Sequence, residues 1–232
     1  MMTKPLPFEE AIKFFKSKVP MTTEEYRQLE AAARQRAFTV AKVTRMDILQ
    51  DILDELRKAL ETGESLGSFQ KTIKEKMQVK GWEGLTPYRL DNIFRTNIQT
   101  AYMAGRYKQM NSPDVVTARP YWMYSAVKDS GTRPSHLAMD GVIRPYDDPI
   151  WKTWYPPNGF RCRCKVIALS QEAVERRGLT IGQGNIGEYI DKETGEVLSL
   201  QPDGGFEHNP GLDDWTPDLG KFDPDVKNLY QK

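Results

Sequence analysis

The chain has 232 residues, 39% apolar and 10% aromatic, with 33 basic against 32 acidic side chains and a formal net charge of +1. That length holds one large domain or two small ones around a modest core. The near-neutral total argues against a dedicated nucleic-acid coat and against strong attraction to a membrane surface.

The charge is unevenly spread: residues 1–111 carry +5, 112–170 carry +3 and 171–232 carry −7. No apolar run approaches the ~18 residues of a membrane span. The opening MMTKPLPFEE lacks the apolar core of a secretory signal. The expected location is therefore the cytosol, or an assembly built there, with no membrane partner.

Phe8, Ile12 and Phe15 recur at helical spacing, which predicts a short amphipathic helix ended by Pro20. Thr22, three residues before Glu25, has the capping-box pattern. From there an apolar stripe through Tyr26, Leu29, Ala33, Phe38, Val43, Leu49, Leu53 and Leu60 predicts helix to about Gly63, with room for a break near residues 39–44. Gly63 suits a C-cap. A third helix runs from Ser65 to about Gly81. Thr86 and Pro87 read as N-cap and first residue of a fourth, which reaches about Met110 and stops at Asn111-Ser112-Pro113. Core packing is the ordinary use of such stripes, and a surface for a partner helix is the other.

After Pro120 the texture changes. YWMYSAV predicts a strand, residues 135–139 a short helix, VIRPY a short strand, and DDPIWKTWYPPNG a loop. FRCRCKVIAL predicts a further strand, with Phe160, Cys162, Cys164, Val166 and Ala168 on one face. Beyond it, SQEAVERRGL predicts a short helix and the stretch around Lys192–Gly195 a hairpin. The last twenty residues, rich in Pro and Asp, predict a segment that wraps a surface or is poorly ordered. GQGNIG, with glycines at 182, 184 and 187, follows no strand in the way a phosphate loop does. The expected architecture is α+β: a helical N-terminal region, 1–84, then a compact module with a small, mainly antiparallel sheet, 85–170, then an acidic extension, 171–232, that is partly loop.

The chemistry-bearing residues gather at 121–169. Cys162 and Cys164 are both of the chain's cysteines, and His136 is one of its two histidines. A C-x-C pair bridges itself poorly, so three readings stand: small buried hydrophobes, metal ligands, or a reactive thiol. On an ideal strand the two sulfurs start about 7 Å apart, so meeting on one ion needs a bulge or twist. His136 and Asp140 would face one way on a helical turn. Arg133, Arg144, Arg161, Arg163 and Lys165, interleaved with Trp151, Trp154 and Tyr155, read either as a solvated face beside aromatic plugs or as a nucleic-acid surface. Arg95, if buried, could pair with Asp129 or Asp140.

Taken in order, Arg133, His136, Asp140 and Gly141, then Pro156, Pro157, Cys162 and Cys164, spell R-x-x-H-x-x-x-[DN]-G followed by P-P-x-x-x-x-C-x-C. This resembles the signature of the phage Mu F-like minor head protein (phage head morphogenesis) family. Arg95-Thr96 and the tail segment from Phe206 to Gly211 also look like the family pattern, so the likeness covers about residues 85–212.

The resemblance implies a structural protein rather than an enzyme. It would be a minor capsid component of a tailed phage, located in the virion and, during assembly, in the host cytoplasm. Its partners would be the portal protein and capsid or scaffold proteins, and it would assist head morphogenesis and DNA packaging or ejection. It also implies a structural zinc on His136, Cys162 and Cys164, with Asp140 or the remote His208 as fourth ligand. The basic face would make weak DNA contact. The rival reading is a nuclease or transferase using His136 as acid or base beside Arg133 and Asp140. A pure DNA-binding module is the third, and the near-zero net charge speaks against it.

Overall fold

The computed structural model describes residues 8–29, 37–182, 187–192 and 194–212. The predicted helical stretch over 30–36, most of GQGNIG and the Pro- and Asp-rich tail lie outside the described residues. The α+β class holds: helices dominate the first half, and small, mainly antiparallel sheets follow. The chain divides into two compact units, with the division falling between Gly105 and Arg106.

The first unit is helical. Helix α1 (Glu9–Lys16) buries Ala11, Ile12, Phe14 and Phe15. A two-residue strand β1 (Val19–Pro20) follows, then helix α2 (Thr23–Gln28), opened by the reciprocal Thr22–Glu25 capping box. Helix α3 (Met46–Thr62) buries Ile48, Leu49, Ile52, Leu53, Leu56 and Ala59, a stripe of three- and four-residue steps. It ends at Gly63, whose φ of 71° is the left-handed conformation that glycine adopts without a Cβ penalty. Helix α4 (Leu66–Val79) is capped by Ser65, whose side chain accepts from Ser68 N.

The sequence pattern misleads at one point in this unit. Residues 37–38 form strand β2, paired in parallel with β1 through Val19↔Ala37 and Pro20↔Phe38. Thr39, Val40, Val43 and Thr44 make the following stretch β-branched and poor in helix propensity. Burial of Phe38 edge-on to Phe15, with ring centroids 6.4 Å apart, rewards the extended path.

Helix α5 (Pro87–Met110) begins as predicted, with Thr86 Oγ1 accepting from Arg89 N at 3.3 Å. Arg95 is an exposed residue of this helix. The expected pairing required a buried arginine, and Arg95 Nε donates to Asp91, one turn earlier, at 2.6 Å. No described helix is long and apolar enough to cross a membrane.

The second unit is built on an antiparallel sheet of order β4-β3-β5: β3 (Tyr121–Ser125), β4 (Ile143–Pro145) and β5 (Lys165–Leu169). Helix α6 (Pro113–Ala118), not anticipated from the sequence, precedes β3, with Pro113 as its first residue. Helix α7 (Pro134–Ala138) follows β3.

Strand β3 alternates. Trp122 and Tyr124 are fully buried, while Tyr121 and Met123 pack on the other face toward Ile143, Leu169 and Val174. Around Trp122 stand Tyr107, Trp151 and Tyr155, with centroids 5.6–5.8 Å away. The predicted loop at 147–159 contains a short helix, α8 (Ile150–Thr153), which buries Ile150 and Trp151. Trp151 Nε1 donates to Pro145 O at 2.8 Å. Helix α9 (Gln171–Arg176), capped by Ser170, follows β5, and a hairpin of β6 (Glu188–Ile190) and β7 (Val197–Ser199) follows that.

Candidate metal centre

The strand expected from Phe160 begins only at Lys165. Before it the chain makes a tight turn: Cys162 N donates to Gly159 O at 3.2 Å and Arg161 takes φ 58°. That turn supplies the departure from strand geometry that two converging cysteines need. Cys164 keeps the inward parity of Val166 and Ala168, which are buried on the face of Trp122 and Tyr124. Cys162 reaches the same place by the curl of the turn.

Helix α7 brings the histidine. Arg133 and Pro134 start it, so that His136 points inward and is 1% exposed. His136 Nδ1 lies 3.7 Å from Cys162 Sγ and 3.6 Å from Cys164 Sγ. The three ligand atoms all lie within 4.8 Å of one another, and all three residues are buried. His136 Nε2 lies 3.3 Å from the Asn158 carbonyl. An Nε2–H donated to that carbonyl leaves the Nδ1 lone pair facing the sulfurs, which is the tautomer a metal requires.

The donor set fits zinc: two soft thiolates and an imidazole, fixed by hydrogen bonds behind them. Asn158 Oδ1 accepts from Tyr124 OH at 3.0 Å, and Asn158 Nδ2 donates to Thr153 O at 3.3 Å. Burial keeps the Tyr124 hydroxyl well above its ordinary pKa, so it stays a donor. The Cys162 thiol is lowered to about 7, first by the hydrogen bond from Cys164 and then by backbone hydrogen bonds and the charge of Arg133. Cys164 is pushed up by that same hydrogen bond and by burial. The pair therefore holds one thiolate readily, and a divalent cation is what would make a second thiolate favourable.

Asp140 and His208 are not among the three clustered ligands. Asp140 Oδ1 accepts from Ala126 N at 2.9 Å, and its Oδ2 pairs with Lys128 at 2.8 Å. The arginines of the basic set are largely engaged within the chain. Arg163, between the two cysteines, makes a two-pronged contact with Asp129 at 2.6 Å. Arg133 donates to Phe160 O at 3.1 Å and pairs with Asp203 at 2.9 Å. Arg144 is buried and donates to Ile143 O at 2.9 Å.

Sequence reasoning missed Asn158 and Asp203. Asn158 sits in the PPNGF turn as a residue type ordinary for turns. Asp203 lies 41 positions beyond Cys162, so no local pattern links them.

The family model described as "Phage Mu protein F like protein" matches residues 50–167, a span that includes His136, Cys162 and Cys164. The chain belongs to the phage Mu protein F-like family. It is 37% identical to the protein named "Putative capsid assembly protein F" of Escherichia phage Mu, over 89% of this chain and 54% of that one. It is 43% identical to the Mu-like prophage FluMu F protein of Haemophilus influenzae, over 77% of this chain and 47% of that one. The chain thus spans about half the length of these curated relatives. No solved structure matches.

Proposed function

We propose that this F-like protein is a minor head protein of a tailed phage. It associates with the portal vertex, assists head morphogenesis and DNA packaging or delivery, and carries a structural zinc on His136, Cys162 and Cys164. During assembly it belongs in the host cytoplasm and afterwards in the virion. The name of the phage Mu relative supports the assembly role.

The observation that carries the structural reading is the burial of the whole cluster, 1–4% exposed at each of the three residues. A buried ion would supply a cross-link between helix α7 and the turn ahead of β5, which local secondary structure does not otherwise provide. The enzyme reading asks His136 to exchange a proton with substrate. Its two nitrogens instead face the sulfurs and the Asn158 carbonyl, and Arg133 is spent on Phe160 O and Asp203. Contact with DNA is weak in this reading, because Arg133, Arg144 and Arg163 have partners within the chain.

Pull-down with the portal protein encoded beside it tests the assembly role, and failure to associate would sink that part. Metal analysis of the purified protein, with Cys162→Ser alongside, tests the zinc. One zinc per chain, lost in the variant, is the expected result, and absence of stoichiometric metal would refute it.

A further inference from the structure

We infer that residues 201–211 are a latch on the metal site: they hold the cysteine turn shut, and the ion and this strap stabilise each other. The inference rests on the zinc reading above. Three contacts seat the strap on the turn that carries the cysteines. Asp203 N donates to the Asn158 carbonyl at 2.9 Å. The Asp203 carboxylate pairs with Arg133, the residue that starts helix α7, and Arg133 also donates to Phe160 O. Phe206 stands edge-on to Phe160, with centroids 4.9 Å apart.

The Asn158 carbonyl is the shared point. It faces both Asp203 N and Nε2 of His136, so strap and metal ligand meet on one oxygen. Gly159 makes the fit, because a Cβ there would run into the Asp203 carboxylate and approach Arg133. The far end of the strap is anchored elsewhere. Asn209 N donates to Lys152 O at 2.8 Å and Asn209 Nδ2 to Trp151 O at 3.0 Å, covering carbonyls at the end of helix α8.

The ligands are buried, so an ion enters or leaves only when the turn at 158–164 lifts away from His136. The turn cannot lift while Asp203, Arg133 and Phe206 hold it. Coupling of this kind is reciprocal: whatever the ion adds to the hold on the strap, the strap adds to the hold on the ion.

The test loads the full chain with zinc and follows transfer of the metal to a chromophoric chelator. Asp203→Ala and Phe206→Ala are expected to release zinc about tenfold faster than wild type. Glu207→Gln, at a strap residue whose side chain accepts from Gly205 N within the strap, keeps the wild-type rate. Hydrogen exchange on the wild-type chain gives a second readout that needs no variant. Stripping the metal should abolish protection of the Asp203 amide and leave that of the Asn209 amide in place. Zinc that binds stoichiometrically but leaves both variants at the wild-type rate, or the Asp203 amide equally protected with and without metal, overturns the latch alone. A chain that binds no zinc overturns the zinc reading and the latch together.

Discussion

His136 offers its two ring nitrogens to different partners, and that division decides what the residue can do. Nδ1 faces Cys162 and Cys164, and Nε2 faces the carbonyl of Asn158. Replacing His136 by Gln removes an imidazole ligand but keeps a polar group of similar reach. Zinc affinity should fall at least tenfold in competition titrations, while the far-ultraviolet circular dichroism of the metal-free chain stays unchanged. Asn158→Ala tests the shell behind the ligand. It removes the Asn158 acceptor of the buried Tyr124 hydroxyl, leaving that group its interaction with Cys164, and should cost about 1–3 kcal/mol in denaturant unfolding. Burial of the cysteines could be weighed from sequence only as one reading among three. The order of Arg133, His136, Asp140 and the C-x-C pair was what set them apart. The role of Asn158 was not legible, since every turn of that composition looks alike until its carbonyl is seen to face a ligand.

Helix α3 shows what periodicity can and cannot carry. Its stripe from Ile48 to Ala59 is buried as the three- and four-residue spacing predicts, and Leu53→Ala should cost about 2–5 kcal/mol by equilibrium unfolding. Near the start of the same helix, Asp47 receives a two-pronged contact from Arg45, with Lys80 3.3 Å away. The Arg45 hydrogen bonds hold the Asp47 carboxyl at about 2, well below the ordinary carboxylate range. A carboxyl whose folded pKa is depressed contributes stability above its unfolded pKa and loses it as pH falls through the folded value. The contribution of Asp47 is therefore complete above about pH 4 and fades toward pH 2. Its carboxyl resonance should titrate near 2, and Asp47→Asn should flatten the acid limb of the stability curve in that window. An unshifted resonance would refute the pairing. Elsewhere propensity yields to packing: Phe38 leaves the predicted helix for a strand pairing that buries it against Phe15, and Ile150 and Trp151 turn a predicted loop into a helix.

At the scale of the molecule, stability in the second unit should depend on metal in a way that the first does not share. All three clustered ligands lie in the unit that runs from Arg106 to Leu212, and the first unit is held by the aliphatic and aromatic core of α1, α3 and α4. Saturating zinc should raise the thermal midpoint by roughly 10 °C over the chelated protein. Probes in the two units should separate when metal is removed: near-ultraviolet signals from Trp122 and Trp151 should shift, and amides of α3 should not. Coincident changes in both units would argue against that division.

Composition and pattern were enough for the α+β class, the caps at Thr22 and Gly63, a helix opening at Ser65, a strand opening at Tyr121 and the residue set that marks the family. These are local properties, set by neighbours within a few positions of one another. Only the folded chain shows that the C-x-C pair leaves its strand, that both sulfurs meet one imidazole nitrogen, and that Asp203 returns to the turn of Asn158. Those contacts span 26 to 45 residues of sequence, and no periodicity encodes a meeting between segments so far apart. They are decided by which turn can bury its thiols and which tail residue can satisfy the carbonyl and guanidinium left beside them.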